Sequence, residues 1–336
     1  MSAFGIGTFE FERTVFPGVV VGDVVYDIRD VLPGISQSVQ LLEDWDANLD
    51  RIADFVSAPP ATARAWTRGA LRALPPLEPA TALLAAGANY REHIIQMSVA
   101  HHLGAEAASP ARLRADAAKK IDERVRSGDP YVWVGMPSAM CGAADDIQLP
   151  EVGGDVDWEV ELGVVIGTRA HRVSATRALE HVAGYLIVND ITARTLVPRN
   201  DIAGVGTDWF RAKNQPTFFP TGPFLLPARF VPNPSDLRIQ LRLNGALMQD
   251  ASVADIAFDV PSLIAYASSL AVLEPGTILI TGSPEGNGSH WGRFLDDGDV
   301  LEASITGLGT QRNLVHGPTG ILPPWQASRA EVRRSW

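Results

Sequence analysis

The chain has 336 residues, 39 of them acidic and 28 basic, for a formal net charge of -11. That balance argues against a binder of nucleic-acid backbones, whose affinity rests on Lys and Arg neutralising phosphates. A single cysteine, Cys141, excludes an internal disulfide framework and any multi-cysteine metal site.

Taken in chain order, FEFERTVFPG and VVVGDVVYDI read as short strands, with Gly22-Asp23 as a hairpin turn. The N-terminal residues lack a basic stretch followed by an apolar core, and no apolar run reaches membrane-spanning length, so a cytoplasmic protein with no membrane partner is expected. A helical stretch is expected from about Ser36 to Ala70, with Leu41, Leu42 and Ile52 among acids. LPPLEPA, with Pro75, Pro76 and Pro79, makes a stiff connection and a domain boundary. Ser109-Pro110 caps a helix in which Leu113, Ala117, Ile121 and Val125 recur every four residues, and Ser127-Gly128 closes it. Its other face mixes basic residues with Asp116, Asp122 and Glu123, as a solvated, salt-bridged helix does.

From Ile147 onward strands dominate: ELGVVIG, GYLIVND, LRIQLRLNG, TILITGS and DVLEASITG. One helix intervenes, DVPSLIAYASSLAVL, capped by Asp259 with Pro261 in its first turn. The pattern is α+β and β-rich, without regular βαβ winding.

In DWEVELGVVIG, Asp157, Glu159 and Glu161 alternate with Val156, Trp158, Val160 and Leu162, so the carboxylates share one face of a strand. Carboxylates so spaced repel one another and, if buried, call for a positive partner. GYLIVNDITAR delivers a further acid, Asp190, at the end of another apolar strand, just before Thr192 and Arg194. Oxygen ligands without a His or Cys cluster suit a hard cation, Mg²⁺, Mn²⁺ or Ca²⁺, over zinc. His93 follows the apolar ALLAAGANY, Lys213 sits among aromatics and prolines, and ITGSPEGNG is a glycine-rich turn without the Lys-Ser/Thr ending of a phosphate loop.

Six segments in order carry a resemblance: GANYREH, DVDWEVELGVVIG, GYLIVNDITAR, AKNQPTFFPTGPF, LEPGTILITGSPEGNG and GDVLEASITGLGTQRN. Together with LNGALMQDASVADIAFDVPSLIAYAS they resemble the fumarylacetoacetate hydrolase family over roughly Leu83 to Asn313. The resemblance implies an α+β roll of mixed β-sheets, with a small N-terminal domain over 1–78 and a catalytic domain over 79–325. It also implies a helical lid insertion at 98–130, a tail at 326–336 and a homodimer. Carried over position by position, Glu159, Glu161 and Asp190 match the family's metal ligands, with Mg²⁺ ahead of Mn²⁺ or Ca²⁺. His93 matches the water-activating histidine, Lys213 the lysine at the substrate, and Arg194 an arginine close to the site. Ser283, Gly282, Tyr90 and Gln96 are expected at the substrate, Ser283 replacing a threonine.

Three departures stand out. Gln96 replaces the glutamate that partners the histidine, Val197 a glutamine, and Met136 a lysine. Glu92, Glu106, Glu123 and Glu285 are candidates to replace the lost acid. The implied activity is metal-dependent hydrolysis of a C–C bond in a small 2,4-dioxo acid of the acylpyruvate type. Hydration, isomerisation or decarboxylation of a related 2-oxo or 2-hydroxydienoate acid is the alternative, and a non-catalytic metal- and acid-binding homologue the second.

Overall fold

The computed structural model describes residues 3–100 and 109–321. Glu106 and the tail 326–336 fall outside the described residues, as does part of the segment expected to be a lid. At the centre lies an eight-stranded mixed sheet. Its order is Tyr131–Gly135, Ala82–Gly87, Thr277–Ile280, Val160–Ile166, Val182–Asn189, Phe219–Thr221 and Met140–Gly142, with Leu226–Pro227 also paired to Val182–Asn189. Thr277–Ile280 runs parallel to Ala82–Gly87, whereas Val160–Ile166 is antiparallel to both its neighbours.

The apolar character of VELGVVI and VAGYLIVN follows from cover on both faces of this sheet, and every residue of the two strands is buried. On one face Val160, Leu162, Val164 and Ile166 meet Ile239, Leu241, Leu301 and Ile305 of a five-stranded sheet. That sheet runs in the order Ala246–Ser252, Arg238–Leu243, Val300–Ile305, Gly309–His316, Ile147–Gln148. On the other face Val165, Leu186, Val188, Ile278 and Ile280 meet Ile6, Val19, Leu49 and Ile52 of an N-terminal layer. Its five strands are ordered Ala65–Thr67, Val24–Asp27, Thr14–Val21, Gly5–Phe11, Arg72–Leu74.

The stretch from Ser36 to Ala70 is helical only in its first part. A 3₁₀ turn, Ser38–Asp44, leads into the α-helix Trp45–Ser57. Ala58, ahead of Pro59-Pro60, leaves the helical region at φ -151°, as residues before proline prefer to do. The chain then adds Ala65–Thr67 as a strand beside Val24–Asp27. The helical periodicity of the first half does not carry past the proline pair that ends it.

The helix Pro110–Ser127 has the expected ends: the Ser109 hydroxyl accepts from the Arg112 amide, and Gly128 follows the last turn. Leu113, Ala117 and Ile121 are buried, but Val125 is 44% exposed. Each four-residue step overshoots a full turn by about 40°, so the third step carries Val125 well off the buried face. Urea unfolding should therefore separate the two ends of this row. Ile121→Ala is expected to lower stability by about 2–3 kcal/mol and Val125→Ala by no more than about 0.5 kcal/mol; equal losses would contradict this helix orientation.

Candidate functional site

The alternation in DWEVELGVVIG persists in three dimensions although the strand itself is interrupted. Val156–Asp157 pairs with Thr192–Ala193, regular pairing stops at Trp158 and Glu159, and Val160–Ile166 then joins the central sheet. Val156, Trp158, Val160 and Leu162 enter the apolar core, while Asp157, Glu159 and Glu161 are buried on the opposite side. The amides at the break are satisfied by side chains. Asn189 Oδ1 accepts from the Glu159 amide at 2.9 Å, and Gln249 Oε1 accepts from Val160 at 3.2 Å. The break frees the backbone around Glu159 from sheet register with its amides still paired, although Nδ2 of Asn189 is itself left buried without a partner.

Two cations enter this acidic face. Arg194, just beyond the strand pairing of Thr192–Ala193, bridges Asp157 at 2.8 Å and Glu159 at 2.5 Å. Lys213, the last residue of the helix Trp209–Lys213, is 3% exposed. Its ammonium donates to Glu159 at 2.7 Å and also to Asp190, and it lies 5.4 Å and 5.6 Å from the ring centroids of Trp133 and Trp209. Burial alone would raise the Glu159 carboxyl, but Arg194 and Lys213 hold it well below the usual carboxylate range. Arg194 is held charged, its own burial outweighed by Glu159 and Asp157.

Glu161 and Asp190 are less well matched. Burial, then Asp190 and Glu159, push Glu161 well above its ordinary value. Burial pushes Asp190 up to about 6, against the opposing pull of Lys213. Glu161 has one hydrogen bond, from the Gly282 amide at 2.7 Å. Gly282 is required there: its φ is +92°, and a Cβ would stand 2.8 Å from the Cβ of Asn89. One oxygen of Asp190, Oδ1, is buried with no partner.

Oxygens from Glu159, Glu161 and Asp190 lie within 4.8 Å of one another. Three carboxylates converging in this way, one with an unsatisfied oxygen and two held above their ordinary range, fit a hard divalent cation with oxygen ligands. These three residues are the ones that would hold it.

The cluster forms the floor of a cavity of about 350 Å³. His93, Arg194, Lys213 and Ser283 also line it, together with Ile94, Met97, Tyr131, Trp133 and Trp209. His93 is half-buried on the helix Arg91–Ala100, and desolvation lowers its imidazole to about 4, so it is neutral near pH 7. Ser283 Oγ accepts from Gln249 Nε2 at 2.9 Å, so one glutamine of the second sheet ties the strand break to this turn.

Three residues expected at the substrate do not line the cavity. Tyr90 is fully buried in the main core, with its hydroxyl unpaired and held in the protonated form chiefly by burial. Gln96 also lies off the cavity wall, and its side-chain oxygen is buried without a partner. Gly282 touches the site through Glu161 alone. Helical spacing explains Gln96: Met97, four residues from His93, shares the cavity with it.

Of the acids considered as partners for His93, Glu92 pairs with Arg114 at 2.5 Å and Glu123 with Lys119 at 3.8 Å. Glu285 lines a separate surface groove with Glu92. The acids that bear on the imidazole are Glu159 and Asp157.

Asp157 is fully buried. It accepts from the Gly288 amide and from Ser289 Oγ at 2.9 Å, at the start of the short helix Gly288–Trp291, as well as from Arg194. Its place on the carboxylate face was legible; its Arg194 partner, 37 residues away in sequence, emerges only when Thr192–Ala193 pairs back on Val156–Asp157. The aromatic wall was missed for the same reason, because Trp133 and Trp209 meet from separate segments, 6.2 Å apart and stacked at 23°.

The chain belongs to the fumarylacetoacetate hydrolase family: residues 82–316 match the model of the fumarylacetoacetate (FAA) hydrolase C-terminal domain. The 2,4-didehydro-3-deoxy-L-rhamnonate hydrolase of Sphingomonas sp. strain SKA58 is 40% identical over 190 residues, which span 56% of this chain and 65% of that enzyme. The 5-carboxymethyl-2-hydroxymuconate delta-isomerase of Mycobacterium smegmatis has the same fold, with a TM-score of 0.66 at 26% identity over 93% of this chain and 99% of its own. Maleylpyruvate hydrolase of Sphingobium sp. SYK-6, solved with manganese(II) and pyruvate, gives a TM-score of 0.72 at 24% identity over 94% and 100% of the two chains. Among the described residues, no helix is long and apolar enough to cross a membrane.

Asp157 orients Arg194, which in turn orients Glu159. Asp157→Asn is therefore expected to weaken Mn²⁺ binding about 10- to 100-fold by calorimetric titration, with the circular dichroism spectrum retained. Unchanged affinity would mean that Arg194 positions Glu159 without its aspartate.

Proposed function

We propose that the protein is a metal-dependent hydrolase that cleaves a C–C bond in a small 2,4-dioxo acid of the acylpyruvate type. The observation that carries this reading is the cluster of Glu159, Glu161 and Asp190, with Asp190 Oδ1 unpartnered, on the floor of a cavity whose wall bears a neutral His93. A divalent cation, Mg²⁺ ahead of Mn²⁺ or Ca²⁺, would be held by these carboxylates and, when bound, supplies Lewis-acid polarisation of the substrate's carboxylate and 2-oxo oxygens. The manganese and pyruvate named for maleylpyruvate hydrolase support this choice of metal class and leaving product.

The chain's own residues supply the rest. His93 takes a proton from water as its oxygen adds to the distal carbonyl carbon. The bond between that carbon and the adjacent methylene carbon then breaks, its electron pair moves into the leaving pyruvate enolate, and a proton returns to the methylene carbon. The Lys213 ammonium, held by Glu159 and Asp190, places positive charge where negative charge develops. Trp133 and Trp209 shield it from bulk water.

A second reading has its own support. Gln96 stands in for the usual glutamate, and no hydrogen-bonding carboxylate partner of His93 is found among the described residues. Isomerisation, hydration or decarboxylation through an enolate asks less of a water-activating base, and an isomerase shares the fold. Product analysis on acylpyruvates, oxaloacetate and 2-hydroxydienoates separates these reactions, and turnover of none of them would favour a non-catalytic binding protein. The same reading takes the protein to be a homodimer in the cytoplasm.

Chelation with EDTA is expected to abolish turnover, and added Mg²⁺ or Mn²⁺ to restore it; full activity in a metal-free preparation would refute metal dependence. His93→Ala should lower acylpyruvate hydrolysis about 10²- to 10⁴-fold while metal binding persists by calorimetry. Hydrolysis at the parent rate would remove His93 as the base.

A further inference from the structure

We propose that this cavity selects 2-oxo acids whose distal end is apolar and rejects those that end in a second carboxylate. The proposal rests on the functional reading above, in which a single substrate carboxylate seats at the carboxylate floor.

The wall above that floor is built from three segments. Ile94 and Met97 share one side of the helix Arg91–Ala100, three residues apart. Tyr131 and Trp133 share one face of the strand Tyr131–Gly135. Trp209 completes the wall, stacked on Trp133 and with its ring centroid 6.5 Å from that of Tyr131. These side chains give a mainly apolar, aromatic surface that carries no charge.

Charge balance leads to the same conclusion. Among the described residues that line the cavity, the cations are Arg194 and Lys213, and both are already paired with carboxylates. Asp157, Glu159, Glu161 and Asp190 present four acids to these two cations, and a dication brings the set to neutrality. The substrate's first carboxylate would be received by that dication, held by Glu159, Glu161 and Asp190. A second one would enter the aromatic wall with no further cation among the described lining residues to receive it, and burying an unpaired charge is strongly unfavourable.

Two uncleavable probes of similar length test this: 4-methyl-2-oxopentanoate, with a branched apolar end, and 2-oxoglutarate, with a terminal carboxylate. Binding to the Mg²⁺-loaded full chain is read from tryptophan emission, since Trp133 and Trp209 face the ligand, and checked by calorimetry. The apolar probe is expected to bind at least about tenfold more tightly. Trp209→Ala should cut that preference to about threefold or less, and Met97→Lys should shift it toward 2-oxoglutarate. If Trp209→Ala fails to fold by circular dichroism, Met97→Lys decides.

Equal or tighter binding of 2-oxoglutarate to the unaltered protein would overturn the proposal. If acylpyruvates are cleaved and the diacid is still preferred, selectivity alone falls. If neither probe binds and no acylpyruvate is cleaved, the functional reading fails and the selectivity with it.

Discussion

Four carboxylates, Asp157, Glu159, Glu161 and Asp190, are buried around the guanidinium of Arg194 and the ammonium of Lys213. Burying charge is tolerable only where each group finds a partner, and the pairing here is uneven. Glu159 has both cations. Asp157 has Arg194 and the helix start at Gly288 and Ser289. Glu161 and Asp190 are left with less positive charge than they need, and that deficit is what a divalent cation is suited to fill.

The scaffold holds this arrangement by breaking its own regularity at one place. The central strand stops pairing at Trp158 and Glu159, and Asn189 and Gln249 take over the amides that a neighbouring strand would have satisfied. Gln249 reaches on to Ser283 and Pro284, and Gly282 turns its amide to Glu161. Asn89 locks the same turn by donating to the Thr281 carbonyl at 2.8 Å and to the Phe258 carbonyl at 3.0 Å. The carboxylate floor, the Gly282–Ser283 turn and the helix bearing His93 are thus fastened to one another through buried amide side chains, which lose free energy if these bonds break in an apolar core.

Much of this was legible in the sequence where the signal is local. Alternation in DWEVELGVVIG placed the carboxylates on one face, Ser109-Pro110 and Asp259 marked helix starts, and Gly22-Asp23 marked a hairpin. The order of the segments from GANYREH to GDVLEASITGLGTQRN points to the same family as the match over residues 82–316. What escaped depends on contacts between distant segments. Helical periodicity could not show that Pro59-Pro60 hands the chain to an edge strand, nor that Val125 drifts off the buried face. Tyr90 sits beside His93 in sequence, yet it turns into the core and leaves Met97 and Ile94 on the cavity. The stacked Trp133 and Trp209 come together only in the folded chain.

The family supports several reactions on one architecture, so the distinguishing features of this chain lie in what surrounds the shared floor: a glutamine where a glutamate pairs with the histidine, and an uncharged aromatic wall. Both depend on the carboxylate floor being a metal site. The most direct measurement is anomalous scattering from a Mn²⁺-soaked crystal. One peak per chain is expected, within about 2.0–2.6 Å of oxygens from Glu159, Glu161 and Asp190. A peak elsewhere, or none at saturating Mn²⁺ with Lys213 still bridging Glu159 and Asp190, would contradict a metal centre here.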